Sequence, residues 1–162
     1  MTTTTARRIT LTVHGFPQPK GSMKAFRAWR SSRLVVTSDN PKVKGWQLAI
    51  TAAAVQSRGR AQAFDGPVSV TCTFALPRPE SYPKRVIHHV TKPDVDKLAR
   101  AVLDALTAAK VLADDGRVSD LVATKRYGTE AGAYIAVSTG ELDLAAIVKH
   151  ARATEALELY AA

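Results

Sequence analysis

The stretch DVDKLARAVLDALTAAKVLADDGRV, residues 94–118, decides the fold: it spells one amphipathic helix with acidic residues at both ends. Leu98, Val102, Ala105, Leu106 and Ala109 recur at helical spacing and predict a helix over Asp96–Lys110 with a buried stripe. Pro93 favours an extended approach to it. In an extended segment residues i and i+2 face the same way, so Asp94 and Asp96 converge on one point at the helix mouth. Asp114 and Asp115 follow the far end. Fifteen helical residues span about 22 Å, so the second pair meets the first only if a strand from Val118 runs back along the helix.

If the two pairs meet, three carboxylates would give a hard, oxygen-only site suited to Mg²⁺, with Mn²⁺ as a substitute. Such a site polarises a phosphate oxygen, aligns an attacking water and stabilises the leaving oxygen. Arg100 lies four residues after Asp96 and four before Asp104, on one helical face. There it can steady carboxylates or meet charge building on a phosphate. A D-x-D also has plainer readings, with Asp96 as a helix cap and Arg100–Asp104 as a surface ion pair.

Working outward, Val68, Val70, Cys72, Phe74 and Leu76 occupy alternate positions and form the clearest strand, with Cys72 as a core residue. Ile9–Val13 alternates in the same way. Gly15–Gly21 is broken by Pro17, Pro19 and two glycines, and opens a basic loop carrying Lys20, Lys24, Arg27, Arg30 and Arg33. Arg33–Thr37 reads as a short strand. Ser38-Asp39-Asn40-Pro41 is a helix-start signal for a helix reaching about Gln56, with Val43, Trp46, Leu48, Ile50, Ala53 and Ala54 as its apolar face.

Pro77–Pro93 is a long loop with four prolines and six Lys, Arg or His residues. Its adjacent His88 and His89 are expected to be solvated. Leu121–Tyr127 and Ala133–Ser138 read as two strands joined in a hairpin. From Glu141 the chain returns to helix. The expected architecture is a small α/β (α+β) domain over residues 1–140, with a mixed sheet of four to five strands and two to three packed helices. Residues 141–162 form a C-terminal helix or tail.

Residues 1–60 hold eleven Lys/Arg against one acid, Asp39, whereas residues 61–162 hold twelve against thirteen acids. The net charge of +9 therefore resides in the first third. Such a surface attracts a polyanion and gains affinity by releasing counterions; a merely solvated basic face is the plainer reading. One cysteine excludes an internal disulfide framework and a cysteine-based zinc site. No apolar run is long enough to span a bilayer, and the Thr-rich start lacks the apolar middle of a secretory signal. These features point to a cytoplasmic protein without membrane contact.

The string from Asp94 to Val118 resembles the signature region of RusA-type Holliday-junction resolvases of bacteria and phages, which carry D-x-D-N, then D-A-L, then D-D-x-x-V. Pro17-Gln18-Pro19-Lys20-Gly21 is similar to the P-x-P-K-G loop of phage members. The resemblance spans roughly residues 8–138. It implies a Mg²⁺-dependent endonuclease that acts as a homodimer, binds branched DNA (four-way junctions) and makes paired symmetric nicks. It further implies that Asp94, Asp96 and Asp115 are the metal-binding catalytic acids, with Asp104 and Asp114 supporting them. Two positions depart from the pattern. The usual Asn is Lys97, which adds a cation near the site, and the usual catalytic Lys is Arg100, which keeps the charge but cannot transfer protons near neutral pH. Other readings are a non-catalytic DNA-binding protein, another metal-dependent nuclease class, or a D-x-D phosphohydrolase.

Overall fold

The computed structural model describes residues 7–21, 23–27, 34–38 and 40–139, with backbone alone for 23–27 and 34–38. The C-terminal segment 141–162 and the side chains of Lys24, Arg27, Arg30 and Arg33 lie outside the described residues.

Among the described residues, six strands and two α-helices follow in the order β1 (Arg8–His14), β2 (Met23–Arg27), β3 (Leu34–Ser38), α1 (Val43–Arg58), β4 (Val68–Pro77), α2 (Val95–Ala108), β5 (Val118–Gly128) and β6 (Gly132–Thr139). Four strands make a mixed sheet in the order β1-β6-β4-β5, with β4 parallel to β5 and antiparallel to β6. Strands β2 and β3 form a separate antiparallel pair. The expected basic loop therefore contains a strand, because MKAFR pairs with LVVTS, which covers most of the short strand expected over Arg33–Thr37.

Strand β4 is central because almost all of it is buried: Val68, Val70, Cys72 and Phe74 are fully enclosed, and Ser69 is 3% exposed on the opposite face. The first set packs with Leu11 and Val13 of β1, Ile135 and Val137 of β6, Trp46 and Ile50 of α1, and Leu98, Val102 and Leu106 of α2 in one core. Removing a buried leucine or phenylalanine side chain from such a core costs about 2–5 kcal/mol.

The expected β5–β6 hairpin is not formed, since β4 lies between the two strands. The short connection after Gly128 crosses the end of β4, and β6 enters between β1 and β4. Pairing of sequential strands is a tendency, and a strand buried on both faces outcompetes it for the centre. Helix α1 begins at Val43 without a side-chain cap. Asn40 instead accepts from the Lys42 amide at 3.1 Å and shapes the turn before the helix. Leu48, expected on the apolar face, is 69% exposed because it lies opposite the stripe of Val43, Trp46, Ile50 and Ala54.

Candidate active site

The first helical turn of α2 carries Asp94 and Asp96. Asp94 is the N-cap (φ −71°, ψ 137°), its carbonyl accepts from the Leu98 amide at 3.1 Å, and its carboxylate lies 3.3 Å from the Lys97 ammonium. Helix α2 thus starts one residue earlier than expected, and Asp96 sits in the first turn instead of capping. Asp96 and Arg100 are exposed and bond to no described side chain. Two carboxylates at the positive end of a helix are held favourably.

Three contacts fix this end. The Lys125 ammonium of β5 donates to the Pro93 carbonyl at 2.7 Å and also to that of Thr91. The Lys20 amide donates to the Lys97 carbonyl at 3.0 Å, which lays the Pro17–Gly21 loop across the start of α2. The Lys20 ammonium pairs with Asp104, which also accepts from Gln47 at 3.3 Å. Asp104 therefore faces α1 and does not pair with Arg100, and Lys20 is committed to Asp104. Lys20, Gln47 and Asp104 border a groove of about 500 Å³ between the helices.

The other acids lie at the far end of α2. Asp114 accepts from the Gly116 amide at 2.8 Å and caps a short 3₁₀ turn, Asp115–Arg117. The Asp115 side chain is exposed. Fourteen helical residues separate the two ends by about 21 Å. The chain does turn back, and β5 returns along α2, but what it delivers there is Lys125, to the Thr91 and Pro93 carbonyls just before Asp94. Asp115 stays behind at the start of the strand. Among the described residues, no group of three acids, histidines or cysteines lies close enough to hold a metal ion. Within one chain, Asp94 and Asp96 fit a divalent cation as a two-carboxylate half-site. Mg²⁺ commonly takes one or two protein carboxylates and completes its shell with water and substrate phosphate.

Sequence reading missed Lys125 and its neighbour Tyr127. The available signal was a lysine on the strand expected to run back along the helix. His89 also differs from expectation: it packs on the Tyr127 ring at 4.8 Å, while His88 stays exposed. Burial, and secondarily the Lys125 charge, hold the His89 imidazole below its ordinary range.

A mixed sheet covered by two helices, with two aspartates and two lysines gathered at the mouth of α2, defines a small α+β protein. The family model described as Endodeoxyribonuclease RusA matches residues 16–138, and the chain belongs to this family of junction-resolving endonucleases. No curated protein matches the chain significantly. Among the described residues, no helix is long and apolar enough to cross a membrane.

Proposed function

We propose that this protein is a Mg²⁺-dependent resolvase that nicks four-way DNA junctions in paired, symmetric positions as a homodimer, in recombination, repair or phage DNA processing within the cytoplasm. The observation that carries this reading is the Asp94–Asp96 pair on the first turn of α2, in a chain of the RusA family. When bound, the cation would supply Lewis acidity at the scissile phosphate. The chain's own residues do the remainder. Asp94 and Asp96 hold the cation, Arg100 and Lys97 place positive charge where the phosphate arrives, and Lys125 fixes the turn that aims both acids. Arg100 acts electrostatically and not as a proton donor.

Asp115 joins this site from a second copy, because α2 keeps it away from Asp94 within one chain. Asp114 positions Asp115 by capping its turn, and Asp104 supports the site indirectly by anchoring Lys20. Lys24, Arg27, Arg30 and Arg33 belong to the basic segment that tracks DNA phosphates, and Lys20 ties the start of that segment to α2 through Asp104.

The purified protein is expected to bind a synthetic four-way junction in EDTA without cutting it, and to nick it at opposed positions once Mg²⁺ is added. Mn²⁺ should substitute. Binding that never leads to cutting with either metal would identify a DNA-binding module instead.

A further inference from the structure

The segment between β4 and α2 has neither helix nor named strand, yet it is tied down like one. Two tight turns are closed by the amides of Tyr82 on the Pro79 carbonyl (2.9 Å) and Val86 on the Pro83 carbonyl (3.0 Å). The Arg78 guanidinium donates to the Pro83 and Val86 carbonyls and stacks on Tyr127, its carbon 5.0 Å from the ring centre. Tyr82 and His89 pack on the same ring at 5.3 and 4.8 Å. Tyr127 is itself buried, and its amide donates to Ile87 at 3.0 Å. Lys125 closes the far end through Thr91 and Pro93.

The fixed arch carries Lys84, Arg85, His88 and Lys92 on its surface. All four are exposed, and none of their side chains bonds to a described residue. Across residues 78–92 there are four Lys/Arg and one acid, Glu80. A solvated loop of this composition needs no such anchoring. Cations on a pre-ordered frame spare most of the ordering cost when they meet an anion. The arch also ends two residues before Asp94.

We propose that the arch from Arg78 to Lys92 is a second phosphodiester-binding surface, seated on Tyr127 and Lys125 so that Lys84, Arg85 and Lys92 hold the DNA backbone beside Asp94 and Asp96. It is separate from the basic segment of the first sixty residues, and it rests on the nuclease reading only in taking DNA as the anion.

The test is anisotropy of a labelled four-way junction in EDTA, titrated with the full chain at several salt concentrations. Lys84→Ala/Arg85→Ala/Lys92→Ala is compared with Ala61→Glu/Gln62→Glu/Thr129→Glu, which lowers the net charge equally at exposed positions outside both basic segments. The arch variant should weaken binding at least about tenfold at 0.1 M salt and lower the log–log salt slope by about two to three. The charge-matched control should change affinity less than about threefold, and both should melt like wild type. Equal losses in the two variants, or unchanged binding in the arch variant, would overturn the arch while leaving the nuclease reading intact. Failure of the wild type to bind any DNA would overturn both.

Discussion

Burial pushes the Cys72 thiol from 9.0 up to about 12, because the centre of β4 gives a thiolate neither water nor a cation. The native thiol is therefore neutral and inert throughout the physiological range. The linkage has a definite sign. The unfolded chain ionises from about pH 9, the folded one only near 12, so this group's stabilising contribution is complete below 9 and is lost as pH climbs between those values. At pH 8 a thiol reagent is expected to label Cys72 only after urea unfolds the protein; rapid labelling of the native protein would contradict its placement. Single residues also mark where sequence reading ended. The place of Asp94 and Asp96 at the mouth of α2 was legible from spacing alone. The partner of Asp104 was not, since Lys20 lies 84 positions away and Arg100 only four.

At the scale of elements, period told strand from helix wherever one face is buried. Strand β4, helix α2 and strand β1 lie where their patterns put them. Neighbours were harder, because alternation says which face of a strand is inward and nothing about which strand lies beside it. This is why β6 was expected beside β5 and is found between β1 and β4. The β1–β6 pairing has a testable consequence at Gly132. A Cβ there would lie 2.6 Å from the Val13 carbonyl oxygen of β1. Gly132→Ala is expected to cost about 1–3 kcal/mol in urea unfolding. Gly66→Ala, with nothing within 4 Å, should stay within about 0.5 kcal/mol of wild type. Equal stability of both variants would dispute the pairing of β6 with β1.

The whole molecule divides its chemistry between two poles. One end of α2 holds Asp94, Asp96, Lys97, the cationic arch and the Lys125 brace; the other holds Asp114 and Asp115. Sequence reading found all these acids, because their spacing survives without a fold. It also found their separation along the helix, and left open whether the chain would bring them back together, which depends on how far β5 travels before reaching the level of Asp94. A rigid helix of about 21 Å turns a one-chain triad into a question of assembly. The homodimer of the proposed function answers it by matching unlike poles of two copies.

Nicking of a four-way junction in Mg²⁺ by Asp96→Asn, by Asp115→Asn, and by the two mixed under conditions that exchange subunits tests this account most directly. Each variant alone should bind the junction and leave it uncut. The mixture should regain nicking on one strand, since a mixed dimer contains one site with native Asp94, Asp96 and Asp115. Wild-type cutting by either variant alone, or a silent mixture in which mixed dimers have formed, would contradict it.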